Sequence, residues 1–207
     1  PVNAMDLHAQ LLLRDKDLSQ SSRDSVQQIR TEARHLNRMI LNLLDLSKGD
    51  EGKLSPNRTD VDLPKLMTTI TSELDANARS RKVGIQASLA VNNLHADEDL
   101  LRRALTNLIE NALRHSPEQT SVIVTSERAE NATDLRVRDF GKGISPEMRE
   151  QIFDPFVQIA TTDASSTRAG RGLGLTFCKL VAEAHSGTID VDDAAPGAVF
   201  TMRFPNE

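Results

Sequence analysis

The sequence predicts an α+β chain: a helical hairpin that forms a dimeric four-helix bundle with a second copy, then an α/β sandwich with a mixed, mostly antiparallel sheet and a lid. Three observations carry this expectation. Val26, Ile29, Ala33, Leu36, Ile40, Leu43 and Ser47 step 3-4-3-4-3-4, a two-in-seven seam. Gly49 to Thr59 (GDEGKLSPNRT) is a polar break containing Gly and Pro. Beyond it, helical and alternating patterns take turns, as in a mixed α/β module.

The first helix spans Pro1 to Lys16, where Val2, Met5, Ala9 and Leu12 step by 3, 4 and 3. Ser19 to Ser22 is a polar turn, and the second helix carries Arg23, Asp24, Gln27, Gln28, Arg30, Glu32 and Arg34 outward. A lone hairpin cannot bury a seam on both helices, so a second copy is expected to complete the bundle. The alternative is a hairpin packed on its own C-terminal domain. The domains are therefore 1–48 (hairpin), 49–58 (linker) and 59–207 (α/β module). In the module, Leu63 to Arg81 reads as a helix and Val83 to Ala90 as a strand. Asp97 to His115 is a helix with Asp97, Glu98 and Asp99 at its positive end. Ser121 to Ser126 and Leu135 to Asp139 are strands. Gly141 to Gly172 is irregular, with a short helix from Pro146 to Phe153 and a small, polar, mobile lid, ATTDASSTRAGRG. Leu173 to His185 is a helix closed by Gly187. Thr188 to Asp192 and Val199 to Phe204 are strands, with Phe200, Met202 and Phe204 facing inward.

Composition narrows the function. At 38% hydrophobic and 27% charged residues, the 207-residue chain has enough apolar mass for a core. A net charge of −5 and the absence of Trp and Tyr argue against nucleic acid as a partner. A single cysteine, Cys178, excludes a disulfide framework and a Cys-rich zinc site, and its place on an apolar helix face reads as core. There is no apolar run of about 18 residues and no signal peptide, so no membrane contact is expected from this stretch. It reads as a cytoplasmic fragment. A first residue of Pro rather than Met reads as a piece of something longer.

Three groups of residues carry chemistry. Asn107, Asn111 and Arg114 share a helix face at i, i+4 and i+7, beside the apolar stripe of Leu101, Ala104, Leu105, Leu108 and Ala112. Carboxamide oxygens suit Mg²⁺, and a guanidinium suits phosphate; a solvated polar face is the alternative. Asp139 follows Leu135 and Val137 in the inward alternation of its strand. There it needs a donor, such as an exocyclic amine like that of adenine, and the Gly141-Lys142-Gly143-Ile144 turn allows close approach; a turn-capping Asp is the alternative. Gly170-Arg171-Gly172-Leu173-Gly174-Leu175 leads into a helix N-terminus, a weak anion signal without Walker A or Rossmann form.

The order of these segments is more specific than any one of them. LTNLIENALRHS (105–116), DFGKGI (139–144), FDPF (153–156) and GRGLGL (170–175) resemble the N, G1, F and G2 boxes of sensor histidine kinases. That family belongs to the superfamily of type II topoisomerases, ninety-kilodalton chaperones and mismatch-repair ATPases. The resemblance covers about Thr59 to Glu207, and Pro1 to Lys48 looks like most of the family's dimerisation and phosphotransfer domain. It implies ATP and Mg²⁺ as cofactors. It implies that Asn111 holds Mg²⁺ with Asn107 nearby, that Arg114 contacts phosphate, and that His115 lines the nucleotide site. Asp139 would accept from the adenine amine, with Gly141, Gly143 and Ile144 shaping the pocket. Gly170, Arg171, Gly172, Leu173 and Gly174 would form the phosphate-facing end of the lid, anchored by Phe153 and Phe156.

ATP-hydrolysing relatives carry a Glu four residues before the metal-binding Asn. Here that position is Asn107, so activation of water lacks its base while attack by an external imidazole stays open. Glu110 points about 100° away from Asn111 and is a weak catalytic candidate. The family's phosphoacceptor run ends in Pro, which places the acceptor His five residues before Pro1; His8 and His35 read as surface helix residues. The resemblance implies transfer of the γ-phosphoryl of ATP to a hairpin histidine and relay to a response-regulator aspartate. The alternative is a degenerate nucleotide-binding dimerisation module.

Overall fold

Helices α1 (Val2–Leu12) and α2 (Gln20–Asp50) make up the first of two compact units, Pro1–Asp50; the second is Glu51–Glu207. The computed structural model describes residues 1–15, 17–50, 54–157 and 172–206. Helix α1 ends four residues before its predicted end. Its last turn is closed by Arg23, whose guanidinium donates to the carbonyls of Leu13 at 2.9 Å and Asp15 at 2.8 Å. Ser19 caps α2, its hydroxyl accepting the Ser22 N–H at 3.1 Å. Helix α2 runs past the predicted end at Lys48 to Asp50, because one Gly in a last turn costs only about 1 kcal/mol and need not stop a helix.

Within the hairpin the expected seam divides in two. Ala33 is buried, as is Ala9 on α1. Between them Asp6 accepts from Arg30 at 3.1 Å and Arg34 at 2.9 Å. Ile29 (57% exposed), Leu36 (44%) and Leu43 (43%) form the other half and face outward, and Ile40 (41%), one heptad beyond Ala33 on the same side, is exposed as well. Within this unit α1 covers one side of the seam only.

The second unit is a sheet covered on one face by three helices. Strand β1 (Thr59–Asp62) leads into α3 (Leu63–Arg81), which Asp62 caps by accepting the Lys65 N–H at 2.9 Å. Lys82, with φ of 55°, ends α3 in the left-handed region. Strands β2 (Gly84–Leu89) and β3 (Asn93–Ala96) precede α4 (Glu98–His115), whose N-cap is Asp97. Strands β4 (Ser121–Arg128) and β5 (Ala132–Arg138) follow, then α5 (Gly174–Ala184), β6 (Thr188–Asp193) and β7 (Ala198–Pro205). The five-stranded sheet has the order β2-β4-β5-β7-β6, with β2–β4 parallel and the other pairs antiparallel. This is the mixed, mostly antiparallel sheet expected. The core joins Val122, Val124, Leu135, Val137, Phe200 and Met202 of the sheet to the buried faces of α3, α4 and α5.

Locally the structure differs from the sequence expectation in three places. Strands β1 and β3 pair as a small separate sheet; at four residues each they are too short to show a period. Pro146 to Phe153 forms two 3₁₀ turns, Pro146–Met148 and Gln151–Phe153, instead of one helix. The left-handed residue after α5 is Ser186 (φ 60°) and not Gly187. Gly187 donates to the Ala182 carbonyl at 2.8 Å and is needed for space: a Cβ there would lie 2.0 Å from the Arg203 carbonyl oxygen. Cys178 is a core residue as expected. Its thiol donates to the Ala104 carbonyl at 3.4 Å, and burial pushes its pKa far up, away from reactivity.

Candidate active site

Helix α4 is the spine of the site. Its apolar stripe is fully buried, which fixes its rotation and leaves Asn107, Asn111 and Arg114 half-buried along one margin. About 12 Å of helix separates Asn107 from His115. Each end meets a different part of the domain. Asn107 Nδ2 reaches the Gly174 carbonyl at 3.5 Å, at the start of α5. At the other end, the His115 carbonyl oxygen lies 2.7 Å from where a Cβ on Gly141 would sit. Only glycine lets the β5 turn approach α4 this closely.

Asp139 stands at the end of β5 with 4% of its surface exposed. Its Oδ1 accepts the N–H of Gly141 at 2.8 Å and of Ala198 at 3.2 Å, and its own N–H donates to the Ala198 carbonyl at 2.9 Å. Among the described residues, Oδ2 receives no hydrogen bond. The carboxylate is held rigidly by one oxygen while the other is available to a donor, as a buried acid requires. Gly197, with φ of 97°, closes this end; a Cβ there would lie 2.0 Å from the Asp139 carbonyl oxygen. Gly143 is also left-handed, with φ of 73°, and packs on the Gly197 carbonyl. Gly197 and Ala198 were not anticipated from sequence. The signal was present in the AAPGAVF run, but nothing local ties it to Asp139, 58 residues earlier.

His115 is exposed overall, yet partial desolvation lowers its pKa below the ordinary imidazole range. The Arg114 charge pushes in the same direction, Asp139 pulls it back up, and Arg81 adds a smaller downward push. The ring is therefore neutral near pH 7. Glu110 is half-buried on the flank of α4, and Ile144 packs against the core beside the Asp139 turn. Leu173 is buried ahead of α5, and the Thr176 hydroxyl donates to the Gly172 carbonyl at 3.2 Å. Gly174 has no steric need to be glycine, since a Cβ would meet Asn107 at an ordinary 3.6 Å. Gly172 does: its φ is 69° and a Cβ would overlap Phe156. The Phe156 N–H donates to the Gly172 carbonyl at 3.1 Å, so Phe156 helps the lid boundary through its backbone while its ring is 67% exposed. Phe153 anchors from within, packed edge-on against Phe200 at 6.3 Å. Gly170, Arg171 and most of the expected lid lie outside the described residues.

Among the described residues, no group of three His, Cys, Asp or Glu side chains could form a metal cage. The donors on the site margin are carboxamides, which fit a Mg²⁺ ion that takes most of its oxygens from phosphate and water. An open concavity bounded by Arg138, Arg149, Asp154, Lys179 and Asp192 curves around the β6 edge and touches none of these donors.

This fold and site define a class: a nucleotide-type α/β domain with a buried carboxylate and an amide-bearing helix, joined to a two-helix hairpin. The family model "Histidine kinase-, DNA gyrase B-, and HSP90-like ATPase" matches residues 96–207, and "His Kinase A (phospho-acceptor) domain" matches residues 1–52. The chain is 34% identical to the sensor-like histidine kinase SenX3 of Mycobacterium bovis, over 99% of this chain and 50% of that protein. It is 30% identical to the sensor protein SrrB of Staphylococcus aureus, over 88% of this chain and 32% of that one. Among solved structures, full-length ShkA in complex with AMPPNP is similar at a TM-score of 0.75 and 25% identity, covering 99% of this chain and 43% of that one. The Acinetobacter baumannii histidine kinase AdeS shares the fold at a TM-score of 0.71 and 20% identity, over 99% of this chain and 94% of that one. The chain belongs to the sensor histidine kinase family, and it spans half or less of the length of these curated relatives. None of the described helices is long and apolar enough to cross a membrane.

Proposed function

We propose that the second unit binds Mg-ATP along α4 and that the γ-phosphoryl passes to a histidine on the helical hairpin of a dimer, for relay to a response-regulator aspartate. The observation that carries this is Asp139: buried, held through Oδ1 by two backbone N–H groups, with Oδ2 open to a donor. The adenine amine is the donor in this reading. Gly141, Gly143 and Gly197 give the ring its approach. The phosphates extend toward Asn107 and Gly174, and Arg114, two turns further along α4, supplies a charge-assisted contact on the way. Asn111 holds Mg²⁺, which neutralises charge on the phosphate oxygens when bound.

Asn107 sets the choice of acceptor. A carboxamide cannot take a proton from water, so hydrolysis lacks a base. An imidazole brings its own lone pair: the P–N bond forms as the bond to the bridging oxygen of ADP breaks, and ADP leaves with the electron pair. His8 on α1 is exposed, lacks the acid that follows the family's acceptor, and is not assigned this role. In this reading the acceptor is the histidine of the family's phosphoacceptor run.

The test is to incubate the longer protein that carries this run with γ-labelled Mg-ATP. The expected product is a protein label that is acid-labile and base-stable and is lost when the acceptor histidine is changed. Nucleotide binding without any such label would favour a regulatory nucleotide-binding dimer.

A further inference from the structure

The two edges of the main sheet are finished differently. Strand β6 (TIDVDD) carries Asp190, Asp192 and Asp193, charges of the kind that guard an edge against pairing. Strand β2 (GIQASL) carries none. Its even residues bond inward to β4: Gly84 donates to Thr120 at 2.8 Å and Ala90, just past the strand, to Ser126 at 3.0 Å. The N–H and C=O groups of Ile85, Ala87 and Leu89 therefore point outward, and among the described residues none is paired. Beside this edge runs a groove floored by Met67 and Leu89 and walled by Thr68 and Thr71 of α3. Ala87, exposed, sits at its lip.

We infer that β2 pairs antiparallel with β2 of a second copy, joining two sheets across a two-fold axis. The strand is self-complementary about its centre. Residues with outward N–H and C=O must face each other, and the register that pairs all three of them puts the axis through Ala87. Ala87 then opposes Ala87 of the other copy, and Ile85 opposes Leu89. These pairs lie on the helix-covered face, where Ile85 and Leu89 already pack against the core. On the opposite face Gln86 opposes Ser88. Every aliphatic side chain meets an aliphatic one, polar meets polar, and no charge opposes a charge, while about six new hydrogen bonds form. The same operation on β6 would set aspartates against each other. The edge belongs to the second unit and the outward half of the α2 seam to the first, and the inference is independent of the nucleotide reading.

The test uses the full chain in analytical ultracentrifugation over a concentration series, with amide exchange read at residues 85, 87 and 89. Expected are a concentration-dependent species larger than the hairpin dimer and slower exchange at these three amides as that species forms. Ala87→Lys and Ala87→Glu should each abolish the larger species, because each puts like charges opposite one another at an exposed site. Mixing the two variants should restore it. Unchanged sedimentation in either variant, or no restoration on mixing, overturns the self-pairing. So does protection of the three amides at every concentration and only in the longer parent protein, which would assign the edge to a strand from elsewhere in that protein.

Discussion

Asp139 and His185 illustrate opposite ways of using a buried polar residue. Asp139 has one oxygen tied down and one available, the arrangement of a binding group. His185 has both ring nitrogens occupied. Its Nδ1 donates to the Val181 carbonyl at 2.7 Å and its Nε2 accepts the Asp97 N–H at 2.9 Å, while Asp97 caps α4 through Leu100 at 3.0 Å and takes the Asn57 N–H at 2.8 Å. His185 thus joins the end of α5 to the start of α4, far from the amide-bearing end of that helix. Replacing it with Ala leaves the Asp97 N–H buried without its partner, and is expected to cost about 1–3 kcal/mol of stability. Urea unfolding checks this; ATP affinity measured below the unfolding range should be unchanged. The sequence offered no sign of this histidine's role, because its partner lies 88 residues away. It did expose the direction of Asp139, because alternation along one strand is a local property. Asp134, like His185, carries no local signal: it is a buried charge on the opposite face, paired with Arg203 at 2.7 and 2.8 Å across strands that are distant in sequence.

At the scale of elements, α4 and α2 were the most legible, since long amphipathic helices repeat their signal several times. For α4 the amide face and the buried stripe both stand as read. For α2 the periodicity located the helix but could not say which partner each side of the seam meets. Val26 and Ala33 lie toward α1, whereas Ile29 and Leu36 stay exposed. Two adjacent exposed aliphatics of this kind argue for a second copy. Ile29→Asp with Leu36→Asp, introduced into a chain that also carries Ala87→Lys, should convert a dimer to a monomer in light scattering, without loss of helix by circular dichroism. A chain that is monomeric before the change would remove this assignment of the seam.

At the scale of the whole molecule, acid is expected to destabilise the second unit in two stages. Desolvation lowers the pKa of His185, and that of His115 likewise, so below about pH 6.5 the unfolded chain takes up protons that the folded chain refuses. Stability is complete above that pH and falls as pH drops toward the folded values. Asp134, lowered chiefly by its hydrogen bonds to Arg203, adds a second loss from about pH 3.8 downward. Urea midpoints across this range should decline with acid, and His185→Phe should flatten the upper stage.

The central claim is that Asp139 reads an adenine nucleotide. It is tested most directly by titrating the chain with Mg-ATP in a calorimeter, as wild type and as Asp139→Asn. Asparagine keeps the Oδ1 acceptor for Gly141 and Ala198, so the fold and its thermal midpoint should hold. Its second group becomes a donor facing the adenine amine. One ATP per chain is expected for the wild type, with affinity about 10- to 150-fold weaker in the variant, corresponding to 1.5–3 kcal/mol for a lost bond to a charged group. Equal affinity in a variant with an unchanged midpoint, or no binding by the wild type, would contradict the account.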